Sequence, residues 1–206
     1  MKATIPLLLA LTISCSCRPA VAVSPDLGEI PDKVFSLAKF QFSILEKGAS
    51  EKTAPRTIQG QDEVVYSDID WWCSGFFPGS LWLTYRYTGD TVMRDLALKH
   101  TEKLYPLIGR DTDHDIGFQI MSSYGNGYRL TGNDTLLPTI KAAARKLAER
   151  FSPATGTIRS WNGSRWNYPV IIDNMMNLEL LMVGGRAISG DEGKQLRDIA
   201  VKHAKT

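Results

Sequence analysis

The sequence predicts an all-α fold built from repeated helical hairpins. Three features support this: apolar residues recur at helical spacing, no stretch longer than a few residues alternates with the period of a strand, and three similar glycine-containing helix stops recur along the chain. Helix pairs of this kind stack as an open solenoid or close into a ring. Glycines inside apolar helices cost about 1 kcal/mol each against alanine, and close helix contact offsets that cost. These glycines favour a closed α/α toroid; they are Gly79, Gly125, Gly127, Gly184 and Gly185.

Residues 1–22 are typical of a secretory signal peptide. An apolar run follows Lys2, and the small residues Ala20-Val21-Ala22 form a cleavage site of the A-x-A type. Cys15 or Cys17 could instead carry a lipid. We therefore expect an exported protein, periplasmic or alternatively an outer-membrane lipoprotein, with residues 23–206 forming its domain.

The composition excludes several classes of function. The 206 residues include 24 Lys and Arg against 22 Asp and Glu, a net charge of +2, and no basic block indicates nucleic acid binding. Cys73 is the one cysteine outside the leader, so no disulfide framework is expected. No apolar run beyond the leader approaches the roughly 20 residues that span a bilayer.

The first helix is predicted over residues 31–48, which place apolar side chains at helical spacing and begin with Pro31. Residues 49–67 are polar and contain Pro55 and Gly60. They are predicted to form a loop.

Three later segments finish in the same way and predict three hairpins. In each, a glycine in the left-handed conformation would end one helix and a neighbouring Asp or Asn would cap the next. The segments are Tyr87-Thr88-Gly89-Asp90, Leu130-Thr131-Gly132-Asn133 and Ile188-Ser189-Gly190-Asp191. The helices before them have few charges and are predicted to be buried inner helices, at 73–88, 116–131 and 172–189. The helices after them are amphipathic and predicted to be outer, at about 90–108, 134–150 and 191–205. His100 and His203 lie on these outer helices, so we expect them to be solvated.

Two aspartates occupy matched positions in this repeat. Asp115 lies 17 residues before Gly132, and Asp173 lies 17 residues before Gly190. At 1.5 Å per residue, about 25 Å of helix separates each carboxylate from its glycine, so both are predicted at the same mouth of the ring. We interpret them as catalytic carboxylates. The same mouth is predicted to contain Asp70, Trp71, Trp72, His114 and Tyr168, with Trp161 and Trp166 just upstream.

The plain alternative is that each aspartate caps its helix. Asp115 stands among other acids in the segment 111–115, where one cap would suffice. Asp173 follows the apolar run Val170-Ile171-Ile172, where burial would raise its pKa. Tryptophans nearby offer flat faces of the kind that stack on sugars. We therefore expect Asp173 to be the protonated acid and Asp115 to stay ionised, the pair used in glycosyl chemistry.

The sequence contains no motif for metal binding, phosphate binding or a serine nucleophile. No cluster of His, Cys and carboxylates has metal-ligand spacing, no glycine-rich phosphate loop follows a strand, and no serine elbow is present. His114 is equally consistent with a structural partner of an aspartate and with a substrate contact.

These residues resemble glycoside hydrolase family 88, the unsaturated glucuronyl hydrolases. The matching stretches are 70–79 (DWWCSGFFPG), 114–118 (HDIGF), 123–129 (SYGNGYR), 158–161 (IRSW) and 172–178 (IDNMMNL). The resemblance implies an α/α six-hairpin barrel that releases 4,5-unsaturated glucuronic acid from the non-reducing end of oligosaccharides left by polysaccharide lyases. It implies no cofactor. Asp173 matches the family's proton donor and Asp115 its other essential aspartate, while Trp72, His114 and Trp161 match substrate-binding positions.

The departure from the family is length, because its members have about twelve helices. The chain resembles their N-terminal half, so we expect the 206 residues alone to form an incomplete barrel and to be inactive. Two other readings stay open: an unsaturated rhamnogalacturonyl hydrolase, and a non-catalytic glycan-binding or scaffold protein of the cell surface.

Overall fold

A computed structural model describes residues 28–163 and 165–206. The predicted signal peptide, with Cys15 and Cys17, lies outside the described residues. The structure is 64% helical, which confirms the predicted all-α class. The helices are α1 (Ile30–Gly48), α2 (Phe76–Thr88), α3 (Thr91–Glu102), α4 (Ile116–Ile120), α5 (Asn126–Thr131), α6 (Leu137–Ala148), α7 (Asn174–Ala187) and α8 (Gly190–Lys205). Within the described residues, no helix combines the length and the apolarity needed to cross a bilayer.

The helices form the predicted hairpins. α2 packs against α3, and α7 packs against α8. The inner helix of the middle hairpin runs from α4 through a π turn, Met121–Gly125, into α5, and α6 returns outside it. α4 lies against α7, while the π turn contacts α2, so the three inner helices are neighbours. One large apolar cluster joins the second and third hairpins; its fully buried members include Ile116, Ile120, Ile140, Leu147 and Leu181.

The first two helix stops form as predicted, and the third does not. Gly89 and Gly132 have φ of +69° and +65°, the left-handed conformation. Asp90 then accepts the N–H of Val92 at 2.9 Å, and Asn133 accepts the N–H of Thr135 at 3.1 Å. At the third stop α7 already ends at Ala187, and no side chain caps α8. There Gly190, with φ of +76°, is the first residue of the following helix.

The loop predicted over residues 49–67 is wrong, because this segment forms an antiparallel hairpin of β1 (Thr53–Gln59) and β2 (Glu63–Asp68). Ala54 is the one buried residue of its two strands, and the others are exposed or partly buried without alternating, so the pattern that marks a half-buried strand is absent. The register shifts between Pro55 and Thr57, a bulge that tolerates proline. The Tyr66 hydroxyl donates to the Leu45 carbonyl at 2.9 Å and ties the hairpin to α1. A shorter pair, β3 (Phe151–Ser152) with β4 (Thr157–Ile158), precedes the loop that leads to α7.

His100 and His203 are buried, at 3% and 7% exposure, so the prediction that they are solvated is wrong. Each lies on the face of its outer helix that turns inward, which a count of charges along the helix does not reveal. The His100 ring packs edge-on against Phe77 with 4.8 Å between centroids. His203 Nδ1 accepts the N–H of Ile158 at 2.8 Å, which holds β4 against α8.

Candidate active site

Asp115 and Asp173 stand at the N-cap positions of α4 and α7, yet neither side chain accepts a hydrogen bond from its own helix. Capping therefore does not explain their presence. Instead, both carboxylates line one cavity of about 350 Å³. The other residues that line this cavity are aromatic or apolar: Trp72, Phe76, Phe118, Trp161 and Met176.

The remaining predicted site residues lie at the same place. His114 is fully buried behind the cavity, with its Nε2 3.2 Å from Asp115 Oδ1. Its ring stands edge-on to Trp161, with 5.9 Å between centroids. Trp72 is 46% exposed and meets Phe118 edge-on at 6.3 Å. The fold thus brings together Asp115, Asp173, Trp72, His114 and Trp161.

The electrostatics of the two aspartates differ from the expectation. Asp115 is only 8% exposed, and burial together with the negative charges of Asp113 and Asp173 raises its pKa to about 7. This raised pKa differs from the expectation that Asp115 stays ionised. Ile172 beside Asp173 is 86% exposed, so the apolar run before α7 turns this side chain outward.

Two polar atoms at the cavity lack partners among the described residues. Asp173 Oδ1 and His114 Nε2 are both buried without an aligned hydrogen bond; the 3.2 Å approach of Nε2 to Asp115 does not have hydrogen-bond geometry. Burial lowers the pKa of His114, opposed by the charges of Asp173 and Asp113. Buried polar atoms without partners are uncommon and mark positions where a ligand or water binds.

The same three side chains form a compact group. One side-chain nitrogen or oxygen atom from each of His114, Asp115 and Asp173 lies within 4.8 Å of the others. Spacing along the chain does not reveal this group, because Asp173 comes from a different hairpin.

Four residues predicted near the mouth have structural contacts instead. Asp70 pairs with Arg110, and Trp71 lies under the Arg56 guanidinium at 4.0 Å. The Tyr168 hydroxyl donates to the Thr157 carbonyl at 2.5 Å and so braces the loop after β4. Trp166 is tilted against Trp161, with 6.5 Å between centroids.

The sequence reasoning missed the side chains that support the site. The Arg150 guanidinium donates to the carbonyls of Thr112, Arg159 and Ser160 at 2.8, 2.9 and 3.0 Å, and so joins the two loops that carry the aspartates. Asn174 Nδ2 donates to Ser160 Oγ at 2.9 Å. Asn177 is fully buried beside His114. Asn174 and Asn177 lie one turn apart on an inner helix with few charged residues, and this spacing is the signal that could have identified them.

Comparison with known proteins identifies relatives of this fold and site. A scan against protein-family models finds no match. An unsaturated glucuronyl hydrolase of Formosa agariphila is 39% identical over 156 residues, which cover 74% of this chain and 38% of the relative. An unsaturated chondroitin disaccharide hydrolase of Streptococcus agalactiae is 30% identical over 181 residues, covering 85% of this chain and 44% of that protein. The chain thus spans less than half the length of these relatives.

Solved structures agree with the sequence comparison. The crystal structure of an unsaturated glucuronyl hydrolase specific for heparin superposes with a TM-score of 0.78 at 34% identity, covering 84% of this chain and 46% of that one. The enzyme of Streptococcus agalactiae gives a TM-score of 0.74 at 29% identity over 84% of this chain and 44% of that one. These neighbours have the α/α barrel fold, which confirms the predicted architecture. The chain belongs to the unsaturated glucuronyl hydrolase family, glycoside hydrolase family 88, and matches the N-terminal portion of its members.

Proposed function

We propose that the complete protein releases 4,5-unsaturated glucuronic acid from the non-reducing end of oligosaccharides produced by polysaccharide lyases. One observation carries the proposal: Asp115 and Asp173 reach one aromatic-walled cavity from two different hairpins, and neither of them caps its helix. Relatives named unsaturated glucuronyl and unsaturated chondroitin disaccharide hydrolases support the substrate class.

The proposed reaction is hydration of the vinyl ether in the unsaturated sugar. A carboxylic acid protonates C4, a water molecule adds at C5, and the resulting hemiketal rearranges with loss of the glycosidic link. One water is consumed and the acid is regenerated. The positive charge that develops at C5 is stabilised by the second carboxylate, which also orients the sugar hydroxyls.

The two aspartates share these tasks as a coupled pair. Burial, together with the negative charges of Asp113 and Asp173, raises the pKa of Asp115 to about 7. Asp115 therefore holds a proton in the free site, and this proton passes to Asp173 as the substrate binds. We assign delivery to C4 to Asp173, which matches the family's proton donor and whose buried Oδ1 has no partner within the described residues. Asp115 then serves as the carboxylate that faces the developing charge.

The test uses the complete gene product and an unsaturated glycosaminoglycan disaccharide, followed by loss of the ultraviolet absorbance of the double bond. We expect Asp115→Asn and Asp173→Asn each to lower kcat by at least about 100-fold, the usual contribution of a general acid. Disaccharide binding should persist. The matched control is Asp62→Asn, an exposed acid in the turn of the β-hairpin. Full activity in Asp173→Asn, or no consumption by the wild-type protein, would refute the proposal.

Trp72 and Trp161 are proposed to stack on the sugar rings. Both line the cavity with the aspartates. Trp72→Ala should raise KM by roughly tenfold, corresponding to about 1.4 kcal/mol of lost contact. Trp71→Ala is the matched control, because Trp71 packs under Arg56 and does not line this cavity. An equal change in both variants would contradict a role in stacking.

The protein is also proposed to be exported, to the periplasm or as an outer-membrane lipoprotein. The apolar run after Lys2 and the residues Ala20-Val21-Ala22 support this. Cell fractionation combined with radiolabelled palmitate distinguishes the two destinations. Label lost in Cys15→Ser or Cys17→Ser identifies a lipoprotein, and retention of the whole protein in the cytoplasm would contradict export.

A further inference from the structure

Asn177 connects the two inner helices that carry the aspartates. It lies on α7, is fully buried, and its Oδ1 accepts the backbone N–H of Phe118 on α4 at 2.8 Å. Its Nδ2 lies 3.1 Å from His114 Nδ1 and 3.4 Å from the Asp173 carbonyl. One amide therefore touches three groups at the mouth of the cavity.

The orientation of this amide follows from its partners. A backbone N–H can only donate, so the atom that faces Phe118 must be the oxygen. A carbonyl can only accept, so the atom near the Asp173 carbonyl must be the NH2 group. Because an NH2 group only donates, His114 Nδ1 must accept, and an accepting ring nitrogen carries no proton.

We infer that Asn177 is a positioning residue that holds His114 as the tautomer with its single ring proton on Nε2, the nitrogen that faces the carboxylate pair. Burial supports the neutral ring, because it lowers the pKa of His114. Nε2 is the atom 3.2 Å from Asp115 Oδ1, and the charged groups that act on the ring are Asp113, Asp173 and Arg150.

The tautomer decides what His114 can do. With Nδ1 occupied by Asn177 and Nε2 already protonated, the neutral ring can donate to a carboxylate but cannot accept a proton from one. The proton shared by Asp115 and Asp173 therefore stays on the pair and remains available for the substrate. This consequence for catalysis rests on the proposed function, whereas the tautomer itself does not.

Gly117 makes this contact possible. A Cβ at this position would come closer than 3.0 Å to the Oδ1, Cβ and Cα of Asn177, where real side chains do not lie. The hydrogen of glycine lets α7 approach α4 closely enough for the amide to reach both Phe118 and His114.

The tautomer can be measured directly by NMR of the protein labelled with 15N in its histidine rings. Signals of His114 are identified by their loss in His114→Gln. We expect Nδ1 to have the chemical shift of an unprotonated nitrogen and Nε2 that of a protonated one. A wild-type ring with its proton on Nδ1 would overturn the inference without any variant having to fold.

A shape-preserving comparison tests the role of the amide. In Asn177→Asp the carboxylate still accepts from Phe118 but now accepts from His114 as well, so the ring proton should move to Nδ1, or the ring should become doubly protonated. In either case the shift of Nδ1 moves into the protonated range. Asn126→Asp is the matched control, a buried asparagine on α5 whose Nδ2 donates to Ser122, and it should leave the His114 signals in place. Unchanged His114 signals in Asn177→Asp would overturn the inference. The NMR measurement needs no substrate. A result that refutes the tautomer is therefore distinct from a result that refutes the proposed activity.

Discussion

Asp113 holds Asp115 in place and at the same time makes it harder to ionise. Its Oδ1 accepts the Asp115 backbone N–H at 3.0 Å, and its negative charge adds to burial in raising the pKa of Asp115 to about 7. Asp113, in the acidic segment before α4, therefore helps to keep the Asp115 carboxyl group protonated near neutral pH.

Removing the titrating group should change how stability depends on pH. A carboxyl group whose pKa is raised by folding stabilises the protein fully below its unfolded pKa, about 3.9, and that contribution is lost as pH rises through about 7. Between pH 4 and pH 8 the wild type should therefore lose on the order of 4 kcal/mol of stability that Asp115→Asn does not lose, at roughly 1.4 kcal/mol per pKa unit. Urea unfolding across this range measures it. Asp62→Asn should leave the dependence of stability on pH unchanged. If the profile of Asp115→Asn ran parallel to that of the wild type, Asp115 would not be the titrating group.

His100 should make the protein sensitive to acid. Burial, aided by the charge of Lys103, lowers its pKa to about 4, so its contribution is present above the unfolded value near 6.5 and is lost as pH falls toward 4. His100→Gln should reduce the loss of stability over this interval by on the order of 3 kcal/mol. At pH 8 the His100 ring is neutral in both the folded and the unfolded state. The stability of the wild type and that of His100→Gln should therefore change with pH equally there. An unchanged slope between pH 6.5 and 4 would show that His100 is not the titrating group.

Gly75 should tolerate no side chain. A Cβ there would collide with the backbone of Gln119, which cannot rotate away as a side chain can, so α2 and α4 would have to separate. We expect Gly75→Ala to lower the free energy of unfolding by about 1–3 kcal/mol, the usual cost of overpacking. Gly109→Ala has open space around its Cβ and should be neutral. Equal effects in chemical denaturation would contradict this explanation.

The repeated helix stops offer a matched comparison of capping. Asn133 accepts hydrogen bonds from both the backbone N–H and the hydroxyl of Thr135, whereas Asp191 is exposed and does not cap α8. Asn133→Ala should cost about 1 kcal/mol. Asp191→Ala should change the thermal midpoint little, and a loss as large as that of Asn133→Ala would contradict the absence of a cap at Asp191.

The sequence predicted the positions of the aspartates more reliably than their environments. The matched spacing of Asp115 and Asp173 was sufficient to place both at one mouth, because helix rise depends only on residue count. The two segments have equal spacing but different backbone structure. A π turn interrupts the inner helix after Asp115, whereas the inner helix after Asp173 ends at Ala187, before its glycine. Burial of a carboxylate depends on side chains from neighbouring hairpins, so the protonation roles could not be read from adjacent residues. Asn177 was missed for the same reason.

The reach of Asn177 to Phe118 and His114 also sets an order of events during synthesis. Chains emerge from the ribosome N-terminus first and domains fold as they appear. His114 and Asp115 emerge well before α7, and until Asn177 arrives the Phe118 N–H and the His114 ring lack their native partner. Residues 30–150 can therefore form helices early, but the site around Asp115 stays incomplete until α7 is in place. The tautomer of His114 is fixed only when the third hairpin packs against the second. An assembled site therefore indicates that at least this part of the barrel has folded.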